Sequence, residues 1–394
     1  MAKFRRLCAL IAVLCVLAIV PVLQAQVPGV SDREIVIGSC SVLDGPASRL
    51  GQQLVMGATA YLNMVNAQGG VNGRKITLRA FQDAYDPDMA ADCFAHLKND
   101  GVFAGAFFVG TPTAARYVPL AEAGHIPLVG LFTGAELLYS PFRHYVVNVR
   151  ASYFDETRTQ VDNLWAQGIH QIAVIYPNDA FGAAVLDGLK AALKRHTAAP
   201  VAVAEYPRNT TQVDAAVETV RAAHPEAVVL VGPYSPVAAM LRKSRGQSWN
   251  PVFLSVSFVG SDDLIREAGS AAEGVIITQV MPPYSSTDLP TVALYRKQMA
   301  ERFSNAKPGY VSLEGFVDAM VLVDGLKRAG KDLTREKLIT ALESMQGIDI
   351  GLGPTLTLGF SRTNHKGLHN VYVTVVRNGA AVPLNNWSQV VAEK

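Results

Sequence analysis

Residues 102–138 read VFAGAFFVGTPTAARYVPLAEAGHIPLVGLFTGAELL. Two apolar runs, VFAGAFFVG and IPLVGLF, each lead into small hydroxyl residues, the first into Thr-Pro-Thr and the second into Thr-Gly-Ala. A helix-like pattern follows each. A short apolar run bounded by turn residues fits a strand buried on both faces, and parallel sheets are built from such strands. The unit is strand, helix, strand, helix, and the hydroxyls stand where a strand gives way to a helix.

Outward from this stretch the alternation continues. Toward the N-terminus, EIVIGS (34–39) is a strand. Residues 51–67 follow, with Leu54, Ala58, Tyr61, Leu62 and Val65 at helical spacing and Gly69-Gly70 as a stop. A strand at 76–81 and a helix opened by Asp86-Pro87 complete a first set. Toward the C-terminus, strands at 171–177, 201–207, 227–232 and 251–256 alternate with helices at 181–195, 212–223 and 235–245. The crossover lies near 145–152, followed by a helix at 155–167. The two halves read as two copies of one architecture. Such alternation implies parallel sheets with helices on both faces. A strand at 274–284 ends in a Pro pair. Helical patterns at 288–303, 311–329 and 334–345 read as helices returning to the first lobe. A hairpin around Asn378-Gly379 closes the chain.

The chain has 394 residues, 49% hydrophobic and 17% charged, enough for about two domains. Its first 25 residues have the three-part layout of a secretory signal peptide: Lys3, Arg5 and Arg6, an apolar run at 7–20, and Leu23-Gln24-Ala25 before the cleavage point. Taking its three basic residues from the 35 Lys and Arg leaves 32 against 33 Asp and Glu, a net of −1. No basic tract remains, so nucleic acid is excluded as an expected partner. Cys8 and Cys15 leave with the signal. Cys40 and Cys93 remain, either as one disulfide in an oxidising compartment or as two buried thiols. In a doubly wound chain the helix bearing Cys93 crosses over the strand ending at Cys40, so a bridge is geometrically feasible. The eight histidines are scattered, and no CxxC or HExxH spacing suggests a metal site. No cofactor and no catalytic residue is expected. The nucleophile elbow, the phosphate loop and the dinucleotide-binding glycine pattern are all missing.

In an open parallel sheet the ligand crevice lies beyond the carboxyl ends of the strands. The loops there supply the candidate site. Thr111 and Thr113 flank a Pro suited to a first helical turn; Thr133, Gly134 and Ala135 offer a hydroxyl and a close backbone approach. Either loop alone fits a helix cap. Two on consecutive strands suggest one carboxylate-sized cradle. The second half offers Phe181, Tyr234, Ser257 and Phe258, with Tyr153 just past the crossover. Aromatic walls with a few polar groups describe a small-molecule pocket.

The run LNMVNAQGGVNGRKITLRAFQDAYDP (62–87) resembles the Asn-x-x-Gly-Gly-x-Asn-Gly-Arg signature, with its later Asp and Asp-Pro, of type I periplasmic binding proteins, closest to their Leu/Ile/Val-binding branch. LDGP (43–46), GTPT, HIPLVG, NDAFG and VGPYSP follow in the same order. The resemblance implies an α/β fold of two doubly wound parallel-sheet lobes joined by a three-strand hinge. The lobes would be 32–148 plus 279–356 and 149–278 plus 357–394, with hinge strands near 147–151, 277–281 and 355–360. It implies a periplasmic protein, expected to be monomeric, that closes on a small ligand and presents it to an ABC permease in the inner membrane. A sensory module of the same fold and an exported hydrolase are the alternatives. In that branch an acidic residue near the loop reading SVSFVG here pairs with a ligand ammonium. Ser257 and Phe258 fill that region instead, which favours a carboxylate or amide over a simple branched-chain amino acid.

Overall fold

The computed structural model describes residues 27–354 and 356–389; the signal-peptide reading of 1–25 lies outside them. A five-stranded sheet carries β1 (Glu34–Ser41), β2 (Lys75–Gln82), β3 (Ala104–Ala106), β4 (Leu128–Val129) and β5 (Val146–Val147), in the spatial order β2-β1-β3-β4-β5. All of its pairings are parallel. A second sheet carries β6 (Ile172–Pro177), β7 (Val203–Tyr206), β8 (Ala227–Leu230), β9 (Val252–Ser255) and β10 (Ile276–Gln279) in the order β7-β6-β8-β9-β10. The second sheet thus repeats the strand order of the first. In each, the order reverses between the first and third strands, where a ligand crevice forms beyond the carboxyl ends of the strands. β11 (Ile348–Asp349) and β12 (Thr357–Leu358) make a small ladder apart, and the antiparallel hairpin β13 (Tyr372–Arg377) and β14 (Ala380–Pro383) extends the second sheet beyond β10.

The helices are α1 (Ser48–Ala67), α2 (Pro87–Asn99), α3 (Thr111–Gly124), α4 (Tyr153–Ala166), α5 (Ala180–Lys194), α6 (Asp214–Arg221), α7 (Tyr234–Gly246), α8 (Ser261–Ala268), α9 (Pro290–Arg302), α10 (Tyr310–Ala329) and α11 (Arg335–Glu343). Local chemistry starts several of them. Asp86 caps α2, accepting from the Asp88 and Met89 amides with Pro87 in the first turn. Ser152 and Asp155 form a reciprocal capping box on α4. Asp179 caps α5 through the Phe181 and Gly182 amides.

The first sheet is covered on both faces. On one, Val36, Cys40, Cys93, Phe94, Phe108 and Tyr117 pack under α2 and α3, and Cys40 and Cys93 are joined as a disulfide with Cα atoms 6.0 Å apart. On the other, α1 packs closely on α10, the helix that returns from beyond the second sheet. A Cβ on Gly57 would strike the Ser312 carbonyl and one on Gly315 the Leu54 carbonyl, so glycine sets that helix spacing. The chain passes between lobes after β5, after β10, and before β13. In the last passage the backbone at 365–368 pairs with Asn148 and Val149, so it runs beside the first passage and lies further along than 355–360.

Candidate functional site

The cradle begins at the carboxyl ends of β3 and β4. Gly110, at φ +103°, turns the chain into α3, and Tyr85 lies where its Cβ would be. The Thr111 and Thr133 hydroxyls meet at 2.7 Å. The Thr133 hydroxyl also lies 3.4 Å from the Tyr153 hydroxyl and accepts from the Ala135 amide at 3.3 Å. Gly134 is required because a Cβ there would come within 2.8 Å of the Tyr153 nitrogen. Neither threonine caps a helix: the N-cap of α3 is Gly110, and only one 3-10 turn (Glu136–Leu138) follows Thr133. Thr113 turns away, donating to the Val109 and Gly110 carbonyls at 2.5 and 3.0 Å. Burial pushes the Tyr153 phenol up to about 12, so it stays protonated at neutral pH.

The second lobe supplies the opposite wall. Phe258 sits on a 3-10 turn after β9, and Phe181 in the first turn of α5. The Phe258 ring lies 4.5 Å from Phe181, 5.3 Å from Phe132 and 6.0 Å from Tyr85. Phe181 is 5.3 Å from Tyr153. Phe258 is therefore a wedge from one lobe between Tyr85 and Phe132 of the other, and it is fully buried. Tyr234 stands apart, at the start of α7; its hydroxyl accepts from the Arg49 amide of α1 at 3.4 Å. Arg208 also bridges the lobes, donating to the Tyr85 carbonyl at 2.7 Å and pairing with Asp179 at 3.3 Å. Gln53 of α1 donates to Asp263 of α8 at 2.6 Å. These contacts hold the lobes together. A cavity of about 320 Å³ opens beside the aromatic cluster, lined by Ala47, Tyr85, Asp179, Phe181, Tyr206 and Pro236. A larger hollow of about 730 Å³, by His224 and Trp249, lies at the amino ends of β8 and β9, the wrong end of the sheet for a crevice.

Ser257 belongs to a buried ionic group absent from the sequence reading. Glu156 of α4 accepts from the Ser257 amide (2.7 Å), the Ser257 hydroxyl (2.9 Å) and the Thr278 hydroxyl (2.6 Å). Arg150, on the passage after β5, pairs with Glu156 and with Glu314 of α10, each at 3.1 Å. Burial opposes the Arg150 charge, but the two carboxylates hold its pKa above the ordinary arginine range. Burial pushes Glu314 up to about 7, with Arg150 pulling against it, and Asp318, one turn further along α10, is raised well above the carboxylate range by burial and by Glu314. Tyr85, Phe132, Arg150, Glu156 and Glu314 thus join the site from outside the sequence reading. The legible signal was Glu314 and Asp318, four apart on an otherwise buried stretch of α10. Among the described residues no cluster of His, Cys, Asp or Glu could hold a metal ion, and no helix is long and apolar enough to cross a membrane.

Two lobes of repeated strand order, meeting over a hydroxyl cradle and an aromatic wedge, define the class of two-lobed solute-binding proteins. The chain belongs to the periplasmic binding protein family, whose model matches residues 34–381. It is 23% identical over 343 residues to Leu/Ile/Val-binding protein homolog 3 of Brucella melitensis, covering 84% of this chain and 88% of that protein. A solved structure described as a possible leucine/isoleucine/valine-binding protein from Rhodopirellula baltica is 32% identical, with a TM-score of 0.85 over 93% of this chain and 100% of that one. The fold is also that of a fatty acid ABC transporter substrate-binding protein from Thermomonospora curvata, 23% identical with a TM-score of 0.84 over 91% and 93% of the two chains. The family and these relatives are binding proteins, not enzymes.

Proposed function

We propose that the protein is exported through a cleaved signal peptide to the periplasm. There, as a monomer, it captures a small carboxylate or amide, an amino acid or related organic acid, between its lobes and delivers it to an ABC permease in the inner membrane. The observation that carries this reading is the Thr111–Thr133 hydroxyl pair of the first lobe meeting Tyr153 of the second, beside Phe181 and Phe258. Buried hydroxyls and a nearby amide suit a carboxylate, because hydrogen bonds to a charged acceptor are the strong ones. The aromatic rings and the adjoining cavity suit a compact apolar body. Names among the relatives range from branched-chain amino acids to a fatty acid, so fold alone does not choose the ligand.

The closed arrangement buries the cradle, so the ligand enters with the lobes apart. The passages near 148–150, 279–281 and 365–368 then serve as the hinge. A ligand without a free ammonium is favoured, because the Glu156 carboxylate beside the Ser257 loop is already fully engaged. Calorimetry with leucine, valine and their desamino acids tests this. Binding of the acids and not the amino acids is expected; tight binding of leucine or valine alone overturns the ligand class.

A further inference from the structure

The guanidinium of Arg150 is 1% exposed and sits between carboxylates from opposite lobes, 3.1 Å from each. It also lies 5.2 Å from the Phe132 ring and 5.7 Å from the Tyr153 ring. Phe132 packs on Phe258 and Tyr153 on Phe181, in the aromatic cluster beside the cavity, and Tyr153 touches the threonine cradle. The ion group is therefore the neighbour of the ligand site and not a remote strut. Building on the carboxylate reading above, we infer that Arg150 sets the charge class of the ligand: its guanidinium takes the one seat between Glu156 and Glu314 that a ligand cation would need.

Three observations support this. First, no carboxylate is left over on Glu156: the Ser257 amide, the Ser257 and Thr278 hydroxyls and Arg150 take its oxygens. Secondly, the void beside the group that is lined by Phe132, Ser257, Gln279 and Glu314 holds about 10 Å³, too little for a second cation. Thirdly, an ammonium placed in the cradle would be buried where the neighbouring carboxylates, Glu156 and Glu314, already bond to Arg150, which is costly. A ligand carboxylate in the same place meets the Thr111 and Thr133 hydroxyls. Arg150 thus rejects zwitterions and favours the matching acid.

The test compares wild type with Arg150→Ala and, because that change leaves two buried carboxylates facing each other, with Arg150→Ala/Glu314→Gln. Each is titrated by calorimetry with two matched pairs, isocaproate against leucine and hydrocinnamate against phenylalanine. Melting is also followed in about 20 mM guanidinium chloride against the same concentration of sodium chloride, since an occupant of the native state raises stability by mass action. Wild type is expected to prefer the desamino acid by roughly tenfold or more. In the variants that ratio falls by about tenfold or reverses, and guanidinium raises their melting temperature but not that of wild type. The inference is overturned if wild type prefers the amino acid, if the ratio is unchanged in the variants, or if guanidinium fails to stabilise them selectively. If wild type binds neither member of either pair, the carboxylate reading of the cleft fails, and guanidinium rescue still decides whether Arg150 fills a cation seat.

Discussion

The Thr111 and Thr133 hydroxyls, 22 residues apart in sequence, are 2.7 Å apart in the folded chain. The contact exists because β3 and β4 are parallel neighbours and end at the same edge, so their following loops converge. Thr133→Val keeps the shape of the side chain and removes the oxygen that Thr111, Tyr153 and the Ala135 amide share. It leaves buried polar groups unpaired at a cost of about 1–3 kcal/mol. Ligand affinity is expected to fall roughly tenfold or more, by calorimetry. An unchanged dissociation constant would remove Thr133 from the site.

Tyr234 joins the lobes at the edge of the cleft through the Arg49 amide. Closure is favoured only by contacts made in the closed state. Tyr234→Ala is therefore expected to weaken ligand binding and to increase the radius of gyration seen by X-ray scattering. Unaltered affinity together with wild-type compaction on adding ligand would show that Tyr234 is incidental to closure.

Cys40 and Cys93 are 53 residues apart and joined across one face of the first sheet. Closing a loop of that length restricts the unfolded chain, a gain of about 2–4 kcal/mol. Reduction, or Cys40→Ser with Cys93→Ser, should lower the melting temperature of the protein while leaving ligand stoichiometry unchanged. Equal melting with and without reductant, after intact mass confirms reduction, would contradict the stabilising role.

Asp83 follows β2 and is buried, with one carboxylate oxygen accepting from the Tyr85 amide at 2.9 Å and the other without a partner among the described residues. Burial is the main cause that raises its pKa to about 7, opposed by the backbone amides of Tyr85 and Asp83. The folded value lies above the unfolded one, so the folded chain holds the proton more tightly. The contribution to stability is full below the unfolded value and is lost as pH rises through about 7. Asp83→Asn keeps the acceptor and does not titrate. In urea unfolding it should gain on wild type as pH rises, by up to about 3 kcal/mol above neutrality. Parallel stability curves for the two proteins would place the Asp83 proton elsewhere.

Much of the fold was legible because strands buried on both faces are continuous apolar runs and the helices between them carry their own stops. The strands at 102–109 and 126–132 proved shorter, Ala104–Ala106 and Leu128–Val129. Phe107 at φ +63° and Gly130 at φ +65° break the extended backbone, and an apolar pattern carries no sign of that. The short helix α8 was missed because eight residues with two Asp, an Arg and a Glu look like a loop. In the site, Thr111, Thr133, Tyr153, Phe181 and Phe258 come together, because strand-end position is readable from order alone. Thr113 does not join them, since its hydroxyl bonds back to the carbonyl four residues earlier. Arg150 was out of reach: its partner Glu314 is 164 residues away, and only the return of α10 to the first lobe brings them together.

A thermal-shift screen of small carboxylates, amides and amines, run on wild type beside Thr111→Val/Thr133→Val, tests the central claim most directly. At least one carboxylate or amide should raise the melting temperature of wild type, and that rise should vanish in the double variant while its ligand-free melting stays cooperative. Shifts produced by amines alone, or carboxylate shifts that persist undiminished in the double variant, would contradict a ligand held by the Thr111–Thr133 cradle.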